Sequence, residues 1–381
     1  MQFAQNINTP VYICEEDKLR ANLELLQNIE QRSGAKILLA LKGFAFSYYG
    51  KLVSEYLSGC CCSGLYEAKF ANEYFSNDSS EVHTYSVGFK DDDIDEIVSL
   101  CHHIVFNSYN QYKKYFDKCK NKKVAIRINP NISLAPTELY NPCGLYSRFG
   151  VKIEEFENLV KNDTEFLNNL DGLHFHALCE ESAESLYIVL TQVKKDFSKY
   201  FKYISYINFG GGHHITKKGY NVELLIKIIQ EFKDEFNIDV YLEPGEAVGW
   251  QTGVLVASVI DIVHNDIDVA VLDVSAEAHM PDTLAQPYRA DVIGGDLKDK
   301  KAFNYMLAGN TCLSGDVMGI YSFDKKLKVG DKVIFEDMIH YTIVKNTTFN
   351  GIKLPNLGVK DSNNDIKIVK SFDYESYKTR N

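Results

Sequence analysis

The chain has 381 residues, 45% of them hydrophobic, enough to bury a large core and to build one big domain with a smaller one beside it. A formal charge of −11 argues against a polyanion-binding surface, so nucleic acid is not an expected partner, and it is compatible with a small cationic substrate. Nine cysteines scattered from Cys14 to Cys312 form no disulfide framework, no apolar run reaches the roughly 18 residues of a membrane span, and the start MQFAQNINTP lacks the regions of a signal peptide, so a reducing cytoplasm is expected and no membrane.

The first strand-like piece is TPVYICEED (9–17), placed before a helix. Eight short apolar or β-branched runs follow: ILLALK (37–42), GCCCSG (59–64), HTYSV (83–87), HIVFN (103–107), KVAIRIN (123–129), GLHFH (172–176), YINFGGG (206–212) and DVYLEPG (239–245). Between them lie stretches such as YYGKLVSEYL, YEAKFANEYF, DDDIDEIVSL and VELLIKIIQEF, with apolar residues at helical spacing. Eight strands alternating with helices predict an α/β fold, a (β/α)8 TIM-type barrel over 15–253. The connection after the fifth strand holds NPCGLYSRFG (141–150), long and turn-rich enough for a lid or binding loop. Beyond Gly253 the runs VLVASVIDIVH, VAVLDV, DKVIFEDM and YTIVKNTTF have strand character with turn breaks, predicting a C-terminal all-β domain over 254–381 joined by the N-terminal strand 1–14. The lysine- and asparagine-rich C-terminal stretch reads as exposed surface.

Barrel enzymes place their active sites at the C-terminal ends of the strands, and here those ends carry Lys42, Ser63, Arg127 with Asn129, His176, a glycine triplet and Glu243. Each has an ordinary reading. Lys42 in ILLALKGFA marks a strand's exit to solvent or is kept for chemistry, since an ammonium is not buried without a partner. Gly210, Gly211 and Gly212 in NFGGGHHIT make a tight turn or let backbone amides approach a phosphate. His176 is a satisfied core histidine or a ligand contact, and Glu243 in LEPGEA a structural ion-pair partner or a carboxylate aimed at the barrel mouth. Cys60, Cys61 and Cys62 are adjacent on a β-like stretch and alternate faces, so no metal site is expected. Together, an amine, a carboxylate, a flat side chain and a phosphate cradle are what pyridoxal 5'-phosphate requires.

On these motifs the chain resembles, over nearly its full length, the barrel-type pyridoxal-phosphate decarboxylases with an alanine racemase-like fold, the group that includes ornithine, arginine and diaminopimelate decarboxylases. The resemblance implies that Lys42 in ALKGFA is the Schiff-base lysine, that His176 in LHFHALCE stacks on the cofactor ring, and that Gly210, Gly211 and Gly212 contact its phosphate. It further implies that Glu243 partners the pyridine nitrogen and that Tyr341, in FEDMIHYTIVKNTTFNG, lies near the phosphate. GNTCLSGD (309–316) resembles the segment that reaches a neighbouring subunit's active site, which implies a homodimer with shared sites, Cys312 as proton donor and Asp316 as a substrate contact.

Two departures stand out. Glu246 replaces the arginine of the EPGR motif, and Leu313 replaces the acidic residue that follows the cysteine in diaminopimelate and ornithine decarboxylases. With HMPDTLAQPYR (279–289), these resemble the branch acting on carboxynorspermidine and carboxyspermidine, whose products are norspermidine and spermidine in polyamine biosynthesis. Carboxylates suit such a substrate's amines, and Glu246, Asp282 and Asp316 are the candidates; Asp282 reads equally well as a surface loop carboxylate. Other readings are a diaminopimelate or other basic amino-acid decarboxylase of the same fold, a racemase, for which no convincing second base is present, and a non-catalytic cofactor-binding regulator.

Overall fold

The computed structural model describes residues 6–135, 138–286 and 288–380; the first five residues, part of the MQFAQNINTP start and of the expected strand 1–14, and Pro287 of HMPDTLAQPYR lie outside them. Contacts divide the chain into two compact units. One spans 22–248 and the other is assembled from both chain ends, 1–21 with 249–381, against the limits 15–253 and 254–381 expected from the sequence.

Strand β1 (Val11–Glu15) and helix α1 (Glu16–Ser33) come first. Then come β2 (Lys36–Ala40), α2 (Gly50–Tyr56), β3 (Gly59–Cys62), α3 (Leu65–Tyr74), β4 (Glu81–Ser86), α4 (Asp91–Leu100), β5 (His103–Phe106) and α5 (Tyr109–Tyr115). The series continues with β6 (Lys123–Arg127), α6 (Ile153–Asn162), β7 (Gly172–His174), α7 (Ala183–Phe197), β8 (Tyr206–Asn208), α8 (Val222–Phe236), β9 (Asp239–Leu242) and the short α9 (Glu246–Gly249). Strands β2 to β9 close into a parallel barrel, with β9 pairing back onto β2 through Lys36 and Tyr241. All eight runs marked in the sequence are barrel strands.

The strands carry only three to six residues each, so the side-chain period of two decides what enters the barrel. Leu38, Val105, Ala125, Tyr206 and Tyr241 meet inside it, with Cys61 and Tyr85 packed against them. Helix α8 shows how the outer layer is held. Leu225, Ile226, Ile228, Ile229 and Phe232 are buried on one face, at about 1.5–3 kcal/mol for each large side chain. Asn221 caps its start by accepting from Leu224 N–H, and Asn237 ends it in the left-handed conformation.

The N-terminal end of the barrel is polar inside. Glu81 accepts from Tyr241 Oη at 2.8 Å, pairs with Lys36 and lies 3.1 Å from His83 Nε2. The rings of His83 and His103 stack at 3.7 Å between centroids and 12° between planes. Burial keeps both imidazoles neutral, pushing His103 down to about 2. For Glu81 burial acts upward, but hydrogen bonds from His83, Lys36 and Tyr241 outweigh it and hold the carboxyl well below its usual range. Ligand atoms of Glu81, His83 and His103 gather within 4.8 Å, with Nε2 of His83 and of His103 at 3.1 and 3.7 Å from the same Glu81 Oε2.

The second unit contains β10 (Gly253–Asn265), β11 (Ile267–Leu272), α10 (Ala276–His279), α11 (Asp282–Ala285), β12 (Gly295–Leu297), β13 (Phe303–Ala308) and β14 (Val317–Phe323). It is completed by β15 (Lys332–Glu336), β16 (Asn356–Lys360), β17 (Ile366–Lys370) and α12 (Tyr374–Lys378). The sheet order is β12-β14-β13-β11-β10-β1-β16-β17, with β15 also on β10. Strand β1 runs antiparallel to β10 and parallel to β16.

One sequence expectation is corrected here. YTIVKNTTF is no strand: Thr342–Val344 form a 3-10 turn, and Asn346 Nδ2 donates to the Thr342 carbonyl at 2.6 Å, a local bond that competes with any ladder. The C-terminal stretch is surface as expected, with no buried residue over 360–380, although β16 and β17 pair there. No helix among the described residues is long and apolar enough to cross a membrane.

Candidate active site

Lys42 stands two residues past the end of β2, where the chain turns. Ala40 N–H donates to the Pro244 carbonyl at 3.0 Å and Leu41 N–H to the Cys61 carbonyl at 3.2 Å, fixing that exit against its neighbours. Gly43 follows because the turn carrying Lys42 presses on the turn after Glu243: a β-carbon at 43 would come within 2.8 Å of the Gly245 backbone. The Lys42 side chain is exposed yet lines a cavity of 440 Å³, and no described residue accepts a hydrogen bond or ion pair from its ammonium.

Glu243 lines the same cavity from the end of β9 and is itself buried. Asn208 Nδ2 donates to Oε1 at 2.8 Å, and His174 Nε2 lies 3.1 Å from Oε2. Asn208 is aimed in turn by Gly210 N–H, which donates to its Oδ1 at 2.8 Å. Burial pushes the Glu243 carboxyl upward, but His174, the more distant His83 and the Asn208 hydrogen bond outweigh it, holding the pKa at about 2. Burial drives His174 the other way, below the ordinary histidine value and only partly offset by Glu243, so the neutral ring donates Nε2–H to an anionic carboxylate.

His176, half-buried, accepts Gly211 N–H at Nδ1 over 2.9 Å, a bond that requires the neutral tautomer protonated at Nε2. Burial, then the charges of Lys42 and Arg127, push its pKa well below the usual range. Arg127 Nη2 donates to the His176 carbonyl at 3.0 Å, and its guanidinium lies 4.8 Å from the Tyr85 ring and 4.5 Å from the Phe149 ring. Tyr85 stacks on His174 at 5.4 Å. Asn107 accepts from Tyr85 Oη at 2.7 Å and from Gly150 N–H at 2.8 Å, and donates to the Arg148 carbonyl at 2.9 Å. It thereby pins the NPCGLYSRFG loop, and Leu139, Tyr140, Asn141, Pro142 and Phe149 form one wall of the cavity.

Sequence reading missed His174, Asn208, Tyr85 and Asn107, and noted Arg127 without a role. A signal was present: His174 precedes His176 by two, Asn208 precedes Gly210 by two, and residues two apart on a strand share a face. The glycines sit behind the cavity rather than on its lining. Gly210 and Gly212 adopt φ of +70° and +84°, and the N–H groups of Gly210 and Gly211 are spent on Asn208 and His176. Glu246 opens α9 off the cavity lining, with His214 Nε2 3.7 Å from its carboxylate and Glu180 beside them.

The other nominated residues belong to the sheet unit. Cys312 is exposed, its N–H donating to Asn350 Oδ1 at 2.7 Å. Asp316 is buried and committed to its own loop: Oδ1 accepts from Ala276 N–H at 2.6 Å and Oδ2 from Thr311 Oγ1 at 2.6 Å. Both oxygens thus brace the turn that presents Cys312. Asp282 pairs with Lys345. Tyr341 occupies a γ-turn, φ +47° and ψ −54°, closed by Thr342 N–H on the His340 carbonyl.

The barrel cavity thus joins an amine without an internal partner, a carboxylate held ionised and a neutral planar imidazole. Such a set bonds an aldehyde, keeps a ring nitrogen protonated and covers a ring face, so the residues fit pyridoxal 5'-phosphate. The family model described as pyridoxal-dependent decarboxylase, C-terminal sheet domain, matches residues 11–339. A carboxynorspermidine/carboxyspermidine decarboxylase of Campylobacter jejuni is 56% identical over 100% of both chains. A carboxyaminopropylagmatine decarboxylase of Synechocystis is 39% identical over 98% of this chain and 96% of that one. The crystal structure of carboxynorspermidine decarboxylase from Campylobacter jejuni complexed with norspermidine superposes with a TM-score of 0.90 at 54% identity, covering 98% of this chain and 100% of that one.

Proposed function

The chain belongs to the pyridoxal-dependent decarboxylases, and from that premise we infer that it is a carboxy-lyase that converts carboxynorspermidine and carboxyspermidine to norspermidine and spermidine in polyamine biosynthesis, with pyridoxal 5'-phosphate as cofactor. The observation that carries the reading within the molecule is the Lys42 ammonium, without a hydrogen-bond partner among the described residues, in one cavity with the ionised Glu243. When bound, the cofactor supplies an electron sink for the pair left on the α-carbon as CO2 departs.

The roles proposed for the chain's own groups follow from their states. Lys42 is the amine that would hold the cofactor. Glu243, anionic because His174 and Asn208 hold it so, keeps a proton on the ring nitrogen. His176 covers the ring face as a neutral imidazole, with Arg127 as a positioning residue that holds its carbonyl. The turn at Gly210, Gly211 and Gly212 would meet the phosphate through Gly212 N–H, since the N–H groups of Gly210 and Gly211 hold Asn208 and His176. Cys312 returns a proton to the α-carbon, reaching the barrel of a second copy in a homodimer; its exposure supports that role. Nine free thiols support a cytoplasmic location.

The test is CO2 release by purified, cofactor-loaded protein offered carboxynorspermidine, carboxyspermidine, carboxyaminopropylagmatine, meso-diaminopimelate and ornithine in parallel. Turnover confined to the two carboxytriamines is expected. Preference for diaminopimelate would overturn the substrate assignment, and cofactor binding without any CO2 release would favour a regulator.

A further inference from the structure

Asn107, directly after β5, is buried and off the cavity lining, yet its amide is committed on both sides. Oδ1 accepts from Tyr85 Oη at 2.7 Å and from Gly150 N–H at 2.8 Å, while Nδ2 donates to the Arg148 carbonyl at 2.9 Å. Only one orientation of the amide satisfies all three, because the amide nitrogen donates and cannot accept. The backbone beneath is held separately. Asn107 N–H donates to Gln111 Oε1 at 2.9 Å, and Gln111 Nε2 donates to the Val87 carbonyl at 2.7 Å. Tyr85, in contrast to Asn107, lines the cavity. Its ring stacks on His174 at 5.4 Å with 19° between planes, and His174 Nε2 is the group that meets Glu243 at 3.1 Å. Burial pushes the Tyr85 phenol above its ordinary pKa, so it keeps the proton it donates to Asn107.

One side chain therefore serves both the return leg of the 138–150 loop and the ring that backs the Glu243 clamp. Two of its three bonds go to the loop, so an unseated loop leaves the amide able to turn and takes the fixed acceptor away from Tyr85. We propose that Asn107 is a positioning residue that couples the seating of the 138–150 loop to the grip of Glu243 on the cofactor, with Tyr85 and His174 as the connecting groups. The inference rests on the pyridoxal-phosphate reading of the cavity. Because the loop forms one wall of that cavity, closing the wall and aligning the ring-nitrogen partner become one event instead of two. The coupling is reciprocal: a bound cofactor steadies the loop by the factor with which a seated loop strengthens cofactor binding.

The experiment is hydrogen exchange of the apoprotein and the cofactor-loaded protein, read on peptides covering 138–150, together with spectral titration of the cofactor. In the wild type the loop amides are expected to exchange about fivefold or more slowly once the cofactor is bound. Tyr85→Phe keeps the stacked ring and removes only the bond to Asn107. It should speed loop exchange in the loaded protein and weaken cofactor binding, each about three- to tenfold, the scale of one hydrogen bond. Asn107→Ala should do at least as much and abolish the slowing that the cofactor brings. The double variant should be no worse than Asn107→Ala, because both changes break the same connection. Loop exchange unchanged in Tyr85→Phe, or wild-type cofactor affinity in Asn107→Ala, would make Asn107 a local pin for the loop and overturn the proposal. Effects that simply add in the double variant would overturn it as well. Should Asn107→Ala fail to fold, loop exchange in Tyr85→Phe decides the matter. Wild-type protein that binds no cofactor would instead refute the reading of the cavity, and the coupling with it.

Discussion

His174 and Glu243 share one buried contact, Nε2 to Oε2 at 3.1 Å, in which the imidazole carries the proton and the carboxylate the charge. Replacing His174 by Leu leaves burial as the main influence on the carboxyl, so its pKa rises. Each unit costs about tenfold in the population of the anion once the pKa passes the working pH. His174→Leu is expected to bind the cofactor at least about tenfold more weakly by spectral titration, more so at lower pH. Wild-type affinity across about pH 6–8 would show the clamp to be dispensable.

Lys42 is the proposed point of covalent attachment. Borohydride reduction of the holoenzyme followed by peptide mass analysis should place the added mass on the peptide containing Lys42. Lys42→Ala should carry no such mass and release no CO2. Full turnover by Lys42→Ala would end the assignment.

Cys312→Ala should lower kcat by about a hundredfold or more, the usual contribution of a positioned proton donor. The stronger test mixes chains. Lys42→Ala and Cys312→Ala proteins, each inactive alone, should regain activity when co-refolded, because one site of the mixed dimer keeps an intact lysine and receives an intact cysteine. Absence of recovery in a demonstrated heterodimer would place the cysteine's action within its own chain.

The stacked His83 and His103 make stability depend on pH in a defined direction. Their folded pKa values lie below the ordinary 6.5, so below that pH the unfolded chain takes up protons that the folded chain refuses. Stability is therefore full above about 6.5 and falls as pH drops, by up to about 1.4 kcal/mol per pH unit for each ring. Glu81, depressed below 4.5, adds a loss of the same sign at lower pH. Melting temperature should be flat near neutrality and fall below pH 6.5, and His103→Phe should show a shallower fall. An equal slope in the variant would clear this pair of responsibility.

Gly43→Ala brings a β-carbon within 2.8 Å of the Gly245 backbone, whereas one at Gly64 meets nothing within 4 Å. The first substitution should cost about 1–3 kcal/mol in denaturant unfolding and the second little. Equal stability of the two variants would mean that the strand-end turns have room to separate.

The eight barrel strands were legible because each is a short apolar or β-branched run bounded by helical spacing or turn residues, as in ILLALK and DVYLEPG, and local pattern alone carries that message. Lys42 and Glu243 could be nominated for the same reason. His174, Asn208, Tyr85 and Arg127 act through one another across the barrel, from β4, β6, β7 and β8, and no local pattern announces such partners. The bracing bonds of Asp316 were not legible, because the groups that fill its oxygens include Ala276 N–H, forty residues away. YTIVKNTTF was misread because its β-branched residues favour strand, while Asn346 and the turn at Tyr341 decide otherwise.

The placement of β1 between β10 and β16 bears on how the polypeptide is made. This strand finds its partners only after more than two hundred further residues have emerged. The intervening barrel strands, by contrast, all pair within one uninterrupted segment. During synthesis at the ribosome the barrel is therefore able to close while the edges of β1 are still unmatched.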